Sequence, residues 1–163
     1  MDDEVRVYGE HTLWLLGQFS QNLDECDATL LAARPPAALE GNNLLAIAKH
    51  ANAVTRAYAL GIGCGLPTAR TRESEFVAEL AEAQAILTDL QATTRDVSAA
   101  FERLGREALE ARLVPEQSVY GMGNPREMSA REAIVENIRH LGIHLGELRL
   151  TRSMLEQGNA RAD

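Results

Sequence analysis

Hydrophobic side chains recur at intervals of three and four residues over four long stretches of the chain, which is the spacing of amphipathic helices. The first stretch predicts a helix that starts near Val5 or Gly9 and runs to Ala33. Its apolar positions are Leu16, Phe19, Leu23, Cys26 and Leu30. The sequence Arg34-Pro35-Pro36 is expected to end this helix, because proline cannot continue the backbone hydrogen-bond ladder.

The second helix is predicted to follow a short linker. Either residue of Asn42-Asn43 can cap its first turn, and Gly61 is expected to end it. A connection rich in glycine, residues 61–71, leads to the third stretch. There Thr71 or Ser74 can act as the cap, and the pattern predicts one continuous helix of about 30 residues that ends near Leu104.

Residues 106–128 form the least regular part of the chain, because prolines and glycines interrupt any periodicity there. A connection of this length is often functional, so Arg112, Tyr120 and Met122 are candidates for substrate contacts, with a plain crossover as the alternative. Ser129 and Glu132 then form a capping box at the start of the fourth helix. This helix is predicted to run to about Gln157, with Gly158 as its stop.

Four amphipathic helices with one apolar stripe each predict an all-α fold, a four-helix bundle. The length of 163 residues fits a single domain over residues 1–163, with a frayed tail over residues 156–163. A net charge of −8 and the lack of a basic stripe argue against nucleic acid and anionic membrane surfaces as partners. No apolar run is long enough to span a bilayer, and the acidic start differs from a signal peptide, so we expect a cytoplasmic protein.

Candidate chemistry centres on the fourth helix. His140 and His144 are four residues apart, so their imidazoles lie one turn apart on one face, and Glu147 follows on the same face. The histidines flank the predicted buried stripe and are expected to point between the helices. Two imidazoles at this spacing can chelate a divalent metal.

The other two histidines lie on the first and second helices. His50 falls on the inward edge of the second helix, where it is either a core histidine satisfied by a neighbour or a third metal ligand. His11, near the start of the first helix, is expected to be a solvated surface residue. The cysteines lack metal-site spacing: Cys26 is expected to be a small core residue, and Cys64 lies in a glycine-rich turn with nothing nearby to activate its thiol.

These features together resemble the DinB-like superfamily of bacterial metal-binding four-helix bundles. The marks that carry the resemblance are Pro35-Pro36, Asn42-Asn43, His50, the pair His140-x-x-x-His144, and the following Gly146-Glu147 and Arg152. The resemblance implies a bundle in up-down-down-up order with a long crossover, often as a homodimer. It also implies a metal site of His50, His140 and His144, commonly for zinc or nickel, and thiol-dependent transferases or isomerases among characterised relatives.

Two further residues of the fourth helix have weaker claims to a role at such a site. Glu147 can be a partner of His144 or a general base, or else a solvated glutamate paired with Arg149 or Thr151. Asn137, one turn before His140, has a similar case. Leu141 stands where the glutamate of an HExxH motif would be, which argues against a peptidase.

Three functional classes remain open from the sequence: a metal-dependent enzyme, of thiol S-transferase or hydrolase type acting on a small molecule, a non-catalytic metal-binding protein, and a helical interaction module. Arg139, Arg149 and Arg152 could form a basic pocket for a negatively charged low-molecular-weight thiol. A homodimer that covers the outer side of the third helix is a further hypothesis.

Overall fold

The computed structural model describes residues 2–35, 41–120 and 123–159. Its α-helices are α1 (Asp3–Asp24), α2 (Ala28–Ala32), α3 (Leu44–Thr55), α4 (Ala83–Arg103), α5 (Gln117–Tyr120) and α6 (Ala130–Asn159). A π-helix, Arg56–Gly63, continues α3, and 3-10 turns cover Arg72–Phe76, Leu80–Glu82 and Arg106–Glu110. The strands β1 (Arg112–Leu113) and β2 (Met128–Ser129) form one short antiparallel pair. The predicted all-α fold is confirmed.

Four long helices, α1, α3, α4 and α6, build the bundle. Helix α1 packs against α4 and α6, and α3 with its π-helical extension packs against the same two helices. The largest fully buried side chains come from all four helices and include Phe19, Leu45, Leu90, Phe101, Ile134 and Leu148. None of the described helices is both long and apolar enough to cross a membrane.

The start signals of the second and fourth helices are confirmed. The side-chain oxygen of Asn43 accepts a hydrogen bond from the backbone N–H of Ala46 at 2.8 Å. At the start of α6, the backbone N–H of Ser129 donates to Glu132 at 2.6 Å, and the backbone N–H of Glu132 donates to the Ser129 hydroxyl at 3.1 Å. Both caps satisfy helix N–H groups that have no partner within the helix.

The prediction of one continuous first helix is wrong. Helix α1 begins earlier than expected, because Asp2 caps it, and it ends at Asp24. Asp27 then caps the separate helix α2, accepting from the N–H of Leu30 at 2.8 Å. A new cap three residues after a helix end starts a new helix axis, which the uninterrupted apolar spacing concealed. Pro35 follows α2, and Pro36 lies outside the described residues.

Gly61 does not end the second helix. The helix passes Gly61 and ends at Gly63, and Cys64 forms its C-cap. A Cβ atom added to Gly63 would lie 2.6 Å from Cγ1 of the buried Ile134 on α6. Glycine is therefore required here by close helix packing and not as a stop signal.

Gly63→Ala is expected to lower the free energy of unfolding by about 1–3 kcal/mol, because overpacking a close helix contact forces Ile134 to move. The matched control is Gly142→Ala on α6, where an added Cβ meets nothing within 4 Å. The control is expected to stabilise the protein by up to about 1 kcal/mol, since alanine favours helix over glycine. Urea unfolding measures both, and a Gly63→Ala variant as stable as the control would contradict the prediction.

The third helix is much shorter than predicted, since α4 starts only at Ala83. A capping box between Glu79 and Glu82 starts this segment, with the Glu79 N–H donating to the Glu82 carboxylate at 2.9 Å. Residues before it form the 3-10 turn Arg72–Phe76 and an extended stretch. This turn carries Glu75 into the interior, where 3% of the residue is exposed.

The fourth helix and the connection before it differ less from expectation. Helix α6 runs through Gly158 to Asn159, so Gly158 does not stop it. The irregular connection contains the turn Arg106–Glu110, the β1–β2 pair and α5. The described part of α4 exposes no large hydrophobic side chain, and the up-down-down-up helix order stays a prediction.

Candidate metal centre

Three of the four histidines come together between α3 and α6. His50 projects from α3, and His140 and His144 project from successive turns of α6. One ring nitrogen from each lies within 4.8 Å of the others. The Nε2 atoms of His50 and His140 are 3.2 Å apart. His50 is buried, and the other two are partly buried.

Carboxylates hold the outer nitrogens of two of these rings. Oε2 of Glu75 lies 2.7 Å from Nδ1 of His50, and Oε2 of Glu147 lies 2.6 Å from Nδ1 of His144. An ionised carboxylate only accepts hydrogen bonds, so each Nδ1 carries a proton, and the Nε2 of a neutral ring is then the nitrogen available to a metal. This is the usual arrangement behind a metal-binding histidine, where a carboxylate fixes the tautomer and the ring orientation.

The donor set fits a divalent transition metal. In a tetrahedral zinc site with Zn–N distances of about 2.0–2.1 Å, two ligand nitrogens are about 3.3 Å apart, close to the His50–His140 distance of 3.2 Å. Nδ1 of His140 is buried without a hydrogen-bond partner among the described residues. Three imidazoles in one place suit zinc or nickel better than the oxygen-seeking calcium or magnesium.

His140 resists protonation. Burial, together with the neighbouring His144 and His50, lowers the pKa of His140 to about 3. The imidazole is therefore neutral at physiological pH, as a metal ligand must be.

A buried ion pair supports His50 from behind. Arg70 donates from Nε to Glu75 at 2.6 Å and from a terminal nitrogen at 2.9 Å, a two-point contact. The Arg70 and Glu75 side chains are only 3% and 4% exposed. Burial alone would raise the pKa of Glu75, but the hydrogen bonds from Arg70 and His50 outweigh it and lower that pKa. Glu75 thus stays ionised, and Arg70 also donates to the backbone oxygen of Val119 at 3.0 Å.

Comparison with known proteins connects this geometry to a family. A profile of the DinB superfamily matches residues 14–148. The chain belongs to the DinB superfamily. Among solved structures, it is similar to a mutant of a mycothiol-dependent maleylpyruvate isomerase, with 16% sequence identity and a TM-score of 0.60. The alignment covers 88% of this chain and 60% of that one, so this chain spans less than two thirds of its neighbour. No curated protein matched the chain.

Other residues singled out in this DinB-superfamily chain lie in different places. His11 is exposed on α1, away from the cluster. Cys26 is partly buried and donates to the backbone oxygen of Asn22. Burial raises the pKa of Cys64 to about 11, which leaves its thiol protonated and unreactive. Cys64 lines a cavity of about 470 Å³ that lacks the histidines.

Of the two described candidates for substrate contacts in the connection before α6, Tyr120 lies near His140 and Arg112 does not. Tyr120 lines a cavity of about 160 Å³ beside His140, and its backbone oxygen accepts a hydrogen bond from the Tyr58 hydroxyl at 3.1 Å. Arg112 instead pairs with Glu127 on the exposed surface. Met122 lies outside the described residues.

The structure also decides between the alternatives for two residues of α6. Glu147 contacts His144, as one alternative predicted, and the pairing with Arg149 or Thr151 is not what the structure shows. Asn137 is fully buried, and its side-chain nitrogen and oxygen have no hydrogen-bond partner among the described residues.

The three arginines expected to form a basic pocket are engaged elsewhere. Arg139 pairs with Glu136, and Arg149 donates to Gln18. Arg152 bridges to Glu25 at the end of α1 and to Glu156 on its own helix. Two other arginines, Arg70 and Arg72, line the cavity beside His140, and sequence reasoning did not select either of them.

Sequence reasoning also missed Glu75 and Phe76. Glu75 went unnoticed because it lies 25 positions from His50 and within an apparent helix. Phe76 falls within the apolar spacing of the third predicted helix, but its ring centroid lies 4.6 Å from that of His50. No spacing signal could have found either residue, since the 3-10 turn that presents them was predicted as α-helix.

Glu75→Gln is expected to weaken zinc binding about 10–100-fold, because the amide is a weaker acceptor for the His50 N–H and no longer fixes its tautomer. Zinc affinity is measured by competition with a chelating dye. The control is Glu79→Gln, which changes a carboxylate of the same segment that does not contact a histidine. Equal affinities for the two variants would show that Glu75 does not support the ligand.

Proposed function

We propose that His50, His140 and His144 bind a divalent transition metal, zinc or nickel, and that the chain is a metal-dependent enzyme of the thiol S-transferase or hydrolase type. The observation that carries the proposal is the convergence of three imidazoles within 4.8 Å, with carboxylates on two of their outer nitrogens. Membership of the DinB superfamily and similarity to a mycothiol-dependent isomerase support a small thiol as cosubstrate.

A divalent metal held by three histidines keeps a coordination position open and lowers the pKa of a thiol or water bound there. The protein's own contribution is to hold the three nitrogens in place. Glu75 fixes His50 from the buried side, and Glu147 fixes His144 from the partly exposed side. Because the Glu147 side chain is 37% exposed, it is also the carboxylate best placed to exchange a proton with solvent.

A metal-binding role without catalysis is the second candidate. It would be favoured if the open position admitted neither a thiol nor a substrate. The cavity of about 160 Å³ beside His140 is the observation that favours the enzyme, because a purely structural metal site has no need of an adjoining space.

The test uses cobalt(II) in place of the native metal, with N-acetylcysteine as the thiol probe. Direct thiol binding is expected to add a sulfur-to-metal charge-transfer absorption that saturates with thiol concentration. N-acetylserine, which replaces the thiol with a hydroxyl, is the control. A cobalt-loaded protein whose spectrum is unchanged by the thiol, while it hydrolyses an activated ester, would favour the hydrolase type over the transferase.

Homodimerisation and a cytoplasmic location belong to the same proposal. Exposed apolar side chains lie on α1 and α6, among them Trp14, Ile143 and Leu150, and not on α4. A dimer formed through these side chains would cover the α1–α6 side. Light scattering that gives a monomer mass at micromolar concentration would remove this part of the proposal.

A further inference from the structure

The cavity beside His140 has a polar wall with an unusual charge balance. Its volume of about 160 Å³ holds about five water molecules at ~30 Å³ each, or one small organic group. Charged side chains in the wall are Arg70, Arg72 and Glu136, and the other polar lining residues are His140, Tyr58 and Tyr120. The cavity therefore lies directly against one proposed metal ligand.

Two of these charges are neutralised by partners. Arg70 is matched by the buried Glu75 through two hydrogen bonds. Glu136 is matched by Arg139, which contacts both of its carboxylate oxygens. Arg72 forms no ion pair or hydrogen bond with any residue in the described part of the chain. The wall thus carries one uncompensated positive charge, in a protein whose net charge is −8.

Arg72 is also held in position. Its guanidinium carbon lies 5.1 Å from the centroid of the Phe76 ring, a cation–π contact, and Phe76 packs against His50 in turn. The residue is half-buried, so its charge is partly shielded from solvent. The contact holds the guanidinium against the ring, and no hydrogen bond within the described part of the chain engages its N–H groups, so they are available to bind a carboxylate at two points.

We propose that this cavity is the binding site for the carboxylate of a small organic acid, and that Arg72 is the residue that binds it. This rests on the proposed function, since the acid would be the substrate whose reactive end faces the histidines. One uncompensated charge matches a monoanionic carboxylate better than a dianionic phosphate. The small cavity volume also favours a carboxylate over a phosphate, and the planar guanidinium of Arg72 matches a carboxylate at two points.

The test is an NMR titration of the full chain, metal-free and zinc-loaded, with propionate as the probe. Propionamide has the same shape without the charge and is the matched ligand control. Saturable shifts are expected at the Arg72 side-chain N–H and at backbone N–H groups around the cavity, with propionate only. Equal shifts with propionamide, shifts spread over the surface arginines, or tighter binding of inorganic phosphate would each overturn the proposal.

Arg72→Met, which keeps an unbranched side chain on the Phe76 ring, is expected to weaken propionate binding at least tenfold. Arg95→Met removes the same charge from the exposed face of α4 and is expected to leave binding unchanged. Equal losses in the two variants would overturn the assignment to Arg72. The amide comparison needs no variant, so it decides the question even if Arg72→Met does not fold.

Propionate binding to metal-free protein also separates this proposal from the metal site. If propionate binds at the cavity but zinc does not bind at the histidines, the metal proposal fails alone. If zinc binds and propionate does not, the carboxylate site fails alone.

Discussion

His140→Ala is expected to remove metal binding almost completely. The wild-type chain, purified without a polyhistidine tag, is expected to carry about one zinc or nickel ion, measured by plasma mass spectrometry. His140 supplies the nitrogen that faces His50 at 3.2 Å, so its loss leaves two ligands on different helices. A supporting carboxylate alone contributes about 10–100-fold to metal affinity, and the loss of a direct ligand is expected to exceed about 100-fold.

His11→Ala is the matched control for this experiment. It removes an imidazole from the exposed face of α1. If the metal were bound nonspecifically by histidines, the metal content would fall in both variants, whereas binding at the three-histidine site predicts a loss only in His140→Ala. His50→Ala is expected to behave like His140→Ala, although it also leaves Glu75 without its imidazole partner. Full metal content in His140→Ala, or no metal in the wild type even after zinc is added, would refute the three-histidine site.

Arg70→Met is expected to lower the free energy of unfolding of the metal-free protein by about 3–5 kcal/mol. The substitution leaves the Glu75 carboxylate, 4% exposed, without the guanidinium that compensates its charge. It also leaves the backbone oxygen of Val119 without its donor, which removes one of the contacts that hold α5 at the site. Urea unfolding followed by circular dichroism measures the change.

The control is Arg112→Met, which breaks an ion pair with Glu127 whose side chains are 52% and 61% exposed. Solvent screens such a pair, so the expected loss is at most about 1 kcal/mol. Adding Glu75→Leu to Arg70→Met is expected to recover part of the loss, because no buried charge then remains unpaired. Similar losses for Arg70→Met and Arg112→Met would show that burial does not strengthen the Arg70–Glu75 pair.

The sequence pattern predicted the scaffold and the three central residues well. Periodicity located α1, α3, α4 and α6, and the caps at Asn43 and Ser129 were identified from short-range chemistry. The spacing of His140 and His144 placed both imidazoles on one helix face. These successes share a cause: helix periodicity and capping depend on residues within one or two turns of each other.

The errors have the opposite cause. Residues 71–82 have the apolar spacing of a helix. In the structure, Arg72–Phe76 forms a 3-10 turn instead, and Glu75 and Phe76 in this turn contact His50. Gly61 is the predicted stop, whereas the helix continues to Gly63, where packing against Ile134 requires a glycine. In each case a contact with a distant helix outweighed the local preference.

The sequence by itself determined the helices, their buried faces and the histidines that could meet between them. Only the tertiary structure decided what else surrounds those histidines: Glu75 and Arg70 behind His50, and Arg72 at the cavity beside His140. The reason is physical. A helix face is set by a local repeat, whereas a hydrogen bond between a turn and a helix 25 residues away exists only after the chain has packed.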